Sequence, residues 1–151
     1  MQKSYQLIKV TASNHWHDYH AIRRKVLWEN RGKTTYNDKH ADEYLPNHHP
    51  LLLLFDNISI GTTRLDDFGN GFGAVRLVAI ADKFQGNGHG RQLSSLFEDY
   101  ARNLGIKTLY VNAASEALEF YKKLGWEFYE WDAEELAGIA DDCQQMRKIL
   151  T

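Results

Sequence analysis

The sequence predicts an α/β fold: one domain over residues 1–151, with a mixed, largely antiparallel sheet of six to seven strands flanked by helices. Three observations predict it. Strand-like and helix-like stretches take turns along the chain, which is the pattern of helices layered on a sheet. Turn residues such as Asp56-Asn57 join neighbouring strand-like stretches into hairpins. A glycine cluster, Gly86, Gly88 and Gly90, then stands where the apolar run Ala74–Ile80 hands over to Leu93, Leu96, Phe97, Tyr100, Ala101 and Leu104 at helical spacing.

Taken in order, residues 5–10 alternate well enough for a first strand. Ser13 or Asn14 can cap a helix whose apolar face is Trp16, Tyr19, Ile22, Val26 and Leu27, ending at Gly32. Residues 33–50 read as loop with one short helix at Ala41–Tyr44. Leu51–Phe55 and residues 58–65 are strands, and residues 66–73 form a turn-rich loop with Gly69, Gly71 and Gly73. After the Ala74–Ile80 strand and the glycine corner, the long helix stops near Gly105. Residues 108–111 form a strand, and Ser115 caps a short helix with Ala117, Phe120, Tyr121 and Leu124 on one face. Residues 126–131 and 144–150 are the closing strands, joined by an acidic connection with a helical turn around Glu134–Ala137.

Composition narrows the function classes. With 43% apolar and 25% charged residues the chain suits an ordinary packed core. A net charge of −2 gives no reason to expect nucleic acid or an anionic membrane as partner, and no apolar run reaches the length of a membrane span. No apolar signal core follows Lys3, and Cys143 is the one cysteine, so a cytoplasmic location without an intramolecular disulfide is expected.

Glycine at a strand-to-helix corner lets the backbone turn tightly and lets a ligand approach the amides. The first amides of a helix lack internal partners and carry partial positive charge, so such a corner holds phosphate. A P-loop needs Lys and then Ser or Thr after its last glycine, but Arg91 and Gln92 follow Gly90. A Rossmann turn needs its third glycine at position 91, which is Arg91. The spacing Gln85-x-x-Gly88-x-Gly90 instead resembles the acetyl-CoA loop of the GNAT-type N-acetyltransferases. A second signature of that family is similar to Phe120-Tyr121-Lys122-Lys123-Leu124-Gly125-Trp126, and Met146–Leu150 resembles its closing strand. The resemblance is clear from about Val75 to Leu150; the first half carries no specific motif.

The resemblance implies the same α/β sandwich and transfer of an acetyl group from acetyl-CoA to a primary amine, on a small molecule or a peptide. Backbone amides of Gln85, Gly86, Asn87, Gly88, His89, Gly90 and Arg91 would hold the diphosphate. Main-chain groups of Val78, Ala79 and Ile80 would hold the pantetheine arm in a slot between two splayed strands. Tyr121 would act as the general acid that protonates the departing thiolate. Asn112 stands between a coenzyme contact and a plain turn residue. The plain readings are a connecting turn for the glycines, core packing for Val78 and Ile80, and a half-buried ring for Tyr121.

The general base has no clear motif; Asp66, Asp67 and Glu29 are candidates, with a water relay as the alternative. Arg23, Arg24, Trp28 and Arg31 are candidate acceptor contacts, against the plain reading of a solvated helix face. His15, His17, His20, His48 and His49 show no zinc spacing, so no metal is expected and they read as solvated. Cys143 belongs to the last strand, and direct transfer needs no covalent intermediate. A homodimer is left open. The alternative function is a non-catalytic acyl-CoA-binding or sensor protein on the same fold.

Overall fold

In the computed structural model, which describes residues 4–138 and 140–151, the four leucines Leu51–Leu54 are all buried. Consecutive residues of a strand point to opposite faces, so this strand has a layer on each side. Leu51 joins Phe97, Ala101, Val111 and Met146 on one face, and Leu53 joins Ile60 and Leu93. Leu52 and Leu54 join Val10 and Tyr19 on the other. Each fully buried leucine contributes about 1.5–3 kcal/mol.

The sheet has seven strands: β1 (Tyr5–Lys9), β2 (His48–Phe55), β3 (Ile58–Gly69), β4 (Phe72–Ile80), β5 (Thr108–Ala114), β6 (Glu127–Phe128) and β7 (Cys143–Ile149). Their order is β1-β2-β3-β4-β5-β7-β6, parallel between β4 and β5 and antiparallel at the other pairings. The helices are α1 (Ser13–Arg23), α2 (His89–Asn103), α3 (Leu118–Lys123) and α4 (Ala133–Ala137). The crossover between the two parallel strands is α2, whose buried residues Leu93, Phe97 and Ala101 recur at helical spacing.

Several boundaries differ from the sequence reading. Residues 66–73 are not a loop: β3 runs on to Gly69 and the hairpin tightens on Asn70 and Gly71, both at positive φ (57° and 88°), as a two-residue turn of this hand requires. The aromatic stretch 126–131 is a strand only at Glu127–Phe128, with one further backbone hydrogen bond from the Tyr129 amide to the Gln145 carbonyl. The first helix is capped by no side chain and is α-helical only to Arg23; a π-helical turn, Arg24–Trp28, and a 3-10 turn, Glu29–Arg31, carry it to Gly32. Ser115 opens a 3-10 turn instead of capping α3.

One irregularity shapes the site. Thr62 pairs with Ala79 and Arg64 with Arg76, so Thr63 alone faces both Leu77 and Val78, a β-bulge in β4. Leu77 adopts φ +54° and is 41% exposed, a left-handed conformation that costs a leucine energy. The Thr63 hydroxyl donates to the Arg76 carbonyl at 2.9 Å and holds the bulge. The β4–β5 ladder stops at Val75 opposite Val111, and beyond the bulge the two strands separate.

Candidate active site

The glycine corner sits at the end of the splayed strand. Gly88 is the residue before α2, at φ +82°, and Gly86 stands at +79°. A Cβ on either would meet nothing within 4 Å, so the dihedral and not crowding requires glycine here. No side chain caps α2, so its first amides have no capping partner. Gln85 donates to the Ile80 carbonyl at 2.8 Å and Asn87 to the Gln85 carbonyl at 3.2 Å; both side chains tie the loop to itself and to β4. The His89 ring is buried, its Nδ1 2.8 Å from the Tyr5 hydroxyl, which pins the start of α2 to β1.

A cleft between the sheet, α2 and α3 opens beside this corner. It is lined by Val78 of β4, Gly90, Leu93 and Phe97 of α2, Phe120 and Tyr121 of α3, and Trp126. Tyr121 is only 7% exposed. Burial pushes its phenol up to about 12, so it is fully protonated at neutral pH. Its hydroxyl makes no hydrogen bond among the described residues, although the ring packs edge-on against Trp126 at 5.3 Å. The Trp126 indole nitrogen, enclosed at the same cleft, also has no hydrogen-bond partner among the described residues.

The structure thus brings Val78, Gly90 and Tyr121 to one cleft. It places Asn112 elsewhere: its amide nitrogen donates to Glu135 at 2.9 Å and its oxygen accepts from Gln145 at 3.0 Å, on the α1 face of the sheet. That face also carries an alternating chain of charges, buried from Arg23 to Asp66 and half-buried at Arg76 and Glu135. Arg23 pairs with Glu43, Arg64 reaches Glu43 at 3.3 Å and Asp66 at 2.7 Å, and Arg76 reaches Asp66 at 3.0 Å and Glu135 at 2.6 Å. Asp66 is therefore a buried counterion held by two arginines, and Arg23 belongs to the core and not to a solvated face. His20 is likewise buried, stacked on Trp16 and 2.6 Å from the Tyr36 hydroxyl. Burial and then Arg23 push its pKa below the ordinary value.

Of the other base candidates, Asp67 accepts from the Gly69 amide at the hairpin end. Glu29 has no side-chain partner among the described residues and lines a second cavity of about 250 Å³ with Arg24, Lys33, Thr34 and Tyr36. Its turn is anchored at both sides of the splay. Lys25 and Asn30 reach Asp82, just past β4, at 2.9 and 2.7 Å, and Arg31 reaches Glu116, just past β5, at 3.5 Å. Burial, with the Asp142 carboxylate, pushes the Cys143 thiol up to about 11, so it is no nucleophile at neutral pH. Among the described residues no group of three His, Cys, Asp or Glu side chains is placed to hold a metal, and no helix is long and apolar enough to cross a membrane.

Sequence reasoning missed Leu77, Trp131 and Glu135. The bulge leaves no mark in a run as apolar as residues 74–80. Glu135 looked like one acid among many in residues 132–142, since its partner Arg76 lies 59 positions away.

A family model described as Acetyltransferase (GNAT) domain matches residues 19–150. Among solved structures, a protein assigned as an N-acetyltransferase from Lactobacillus plantarum superposes with TM-score 0.79 at 20% identity, over 98% of this chain and 99% of that one. N-acetylglutamate synthase from Neisseria gonorrhoeae, solved with coenzyme A and N-acetyl-glutamate, superposes at 0.78 and 17% identity, over 98% of this chain and 35% of that one. FeeM, an N-acyl amino acid synthase from uncultured soil microbes, gives 0.77 and 13%, over 98% and 91%. At such identities these likenesses establish the fold, and the family rests on the match over residues 19–150. The chain belongs to the GNAT acetyltransferase family.

Proposed function

We propose that the protein is an N-acetyltransferase that moves an acetyl group from acetyl-CoA directly to a primary amine on a small molecule or peptide. The observation that carries this reading is the meeting of Gly90, Val78 and Tyr121 around one cleft. On this reading each serves a different part of the reaction, and all three line that cleft.

On this reading the amides of Gln85–Arg91 hold the diphosphate at the start of α2, with the helix dipole behind them. Peptide groups of Val78–Ile80 on the side facing away from β3 have lost β5 as a partner and hold the pantetheine arm. A donor among them faces the thioester oxygen as charge develops there. The amine nitrogen attacks the thioester carbon; the C–N bond forms, the C–S bond breaks, and Tyr121 gives its proton to the departing sulfur. The amine's proton leaves through Glu29 or water, and water returns a proton to the Tyr121 phenolate. Holding both substrates together supplies much of the rate, since no covalent enzyme intermediate is formed.

The test is an acetylation assay across an amine library, following release of the CoA thiol, with thermal shifts by acetyl-CoA, ATP and NADH alongside. Thiol release with at least one amine class, and stabilisation by acetyl-CoA alone, are expected. Stabilisation by acetyl-CoA with no turnover across the library would return the protein to the non-catalytic acyl-CoA-binding class. Stabilisation by ATP or NADH alone would remove the acyl-CoA reading altogether.

A further inference from the structure

Adjacent strands zip together at a spacing of about 4.8 Å, and peptide groups left unpaired inside a protein are costly. A splay in the middle of a sheet therefore needs something to hold it. On the α2 face the rings of Phe120 and Tyr121 line the cleft. On the opposite face one short segment, Trp131 to Glu135, reaches both strands at the point where they part.

The last ladder pair is Val75 with Val111, and the next residues are Arg76 on β4 and Asn112 on β5. The Glu135 carboxylate joins them: it accepts from Arg76 Nη1 at 2.6 Å, Arg76 Nη2 at 3.1 Å and Asn112 Nδ2 at 2.9 Å. Trp131 donates its indole N–H to the Val111 carbonyl at 3.1 Å. Its ring lies 5.2 Å from that of Tyr110 on β5 and under the Arg76 guanidinium at 5.4 Å. Gln145 of β7 fixes the segment from behind. Its Oε1 accepts from the amides of Trp131 (2.7 Å) and Asp132 (2.8 Å), and its Nε2 donates to the Asp132 carbonyl (2.8 Å) and to Asn112 (3.0 Å). Asp132 caps α4 by accepting from the Glu134 and Glu135 amides, which sets the direction of the Glu135 side chain.

A bidentate arginine pair resists sliding and rotation. Arg76 is itself fixed from the far side, since its Nε donates to Asp66 at 3.0 Å. A segment that bonds rigidly to β4, β5 and β7 at the branch point fixes how far the first two can separate.

We propose that Trp131–Glu135 is a clamp that sets the width of the β4–β5 slot, with Glu135 as the positioning residue for whatever arm the slot receives. The link to catalysis rests on the acetyl-CoA reading above; the mechanical part does not. Two measurements separate them. The first is hydrogen exchange of the ligand-free protein, comparing Glu135→Gln and Trp131→Phe with the wild type. Glu135→Gln keeps the shape and removes the charge; Trp131→Phe keeps an aromatic ring and removes the donor. Exchange at residues 77–80 and 112–114 should quicken in both, with residues 85–91 unchanged. The second is steady-state kinetics well below the melting temperature. There kcat/KM for acetyl-CoA should fall roughly 10²-fold, as about 1 Å of misplacement does, with the Kd of free CoA changed less than threefold. Glu134→Gln, an exposed neighbour on the same helix, is the control that should move neither. Unchanged exchange overturns the clamp, whatever the kinetics do. Faster exchange with wild-type kinetics overturns the positioning role. A wild-type chain that turns over no acetyl-CoA overturns the functional reading while the exchange result still decides the clamp.

Discussion

Tyr121 joins two properties that one substitution can separate, its packing and its hydroxyl. The ring is buried against Trp126, while the hydroxyl has no hydrogen bond among the described residues. Tyr121→Phe should therefore change stability by less than about 1 kcal/mol. Turnover should fall by roughly 10²-fold if the phenol supplies the thiolate's proton. Normal turnover in this variant would take Tyr121 out of the mechanism. The pH dependence has a definite sign. Burial raises the folded pKa to about 12 from an ordinary value of 10, so the stability tied to the protonated phenol is full below pH 10 and is lost as pH rises through 12. A fall in kcat near pH 8–9 must then come from another group and should persist in the phenylalanine variant. At Gly88, Ala in place of glycine meets no atom within 4 Å but must adopt φ +82°. The strain costs about 1–2 kcal/mol. Gly88→Ala should stay folded and lose acetyl-CoA affinity by calorimetry; undiminished affinity would move the diphosphate site away from this corner. These residues were legible in the sequence because their signals are local, a glycine spacing and a Phe-Tyr register. Leu77 and Glu135 were not, because a bulge and a long-range ion pair are decided by which strands become neighbours.

At the level of elements, the turn from Arg24 to Arg31 was legible as helix and illegible as bridge. Its apolar period continues from α1 through Val26 and Leu27, so nothing in the sequence marks the change from α to π hydrogen bonding at Arg24. A π-turn often marks a functional site. Here it brings Lys25 and Asn30 to Asp82 on one side of the splay and Arg31 to Glu116 on the other. Both anchors lie about two residues past the ends of the parallel strands, so the turn crosses the mouth of the slot on the α1 side. Arg31→Glu sets two carboxylates against each other at the β5 anchor. The pair is exposed, so stability should shift by no more than about 1 kcal/mol. If this turn walls the acceptor site, the acceptor KM should rise several-fold while acetyl-CoA affinity holds, and adding Glu116→Arg should recover much of the loss. Wild-type acceptor kinetics in the single variant would place the acceptor elsewhere. Residues 66–73 show the same limit from the other direction. Their three glycines read as a loop, yet only Asn70 and Gly71 form the turn and β3 keeps its pairing to Gly69.

Over the whole molecule, α1, the 3-10 turn at Ala41–Tyr44, β3, β4 and α4 are joined by one chain of alternating charges, buried at Arg23, Glu43, Arg64 and Asp66 and half-buried at Arg76 and Glu135. No sequence window shows it, since its members come from five elements that meet only in the fold. Its energetics are asymmetric: an intact buried pair gives modest net stability, but removing one partner strands the other's charge. Glu43 is the member to remove. It accepts from Tyr19 at 2.8 Å and from both Arg23 and Arg64, so Glu43→Gln should cost about 3–5 kcal/mol. The chain also predicts how stability depends on acid. Burial alone would push the Glu43 carboxyl up, but the Arg23 charge and hydrogen bond outweigh it and hold the pKa below its ordinary value near 4.5; Glu135 is lowered in the same way by Arg76. The unfolded chain therefore binds these protons more tightly than the folded one. Their stabilisation is complete above the ordinary carboxyl value and is lost as pH falls through the depressed folded values. Thermal melting followed from pH 7 to pH 3 should show a plateau and then a decline beginning near pH 5. In Glu43→Gln the whole curve should lie lower, and its acid limb should be shallower, because one of the carboxyls that must take up a proton is gone. An acid limb as steep in the variant as in the wild type would mean that Glu43 carries no such linkage and that other carboxylates set the acid stability of the protein.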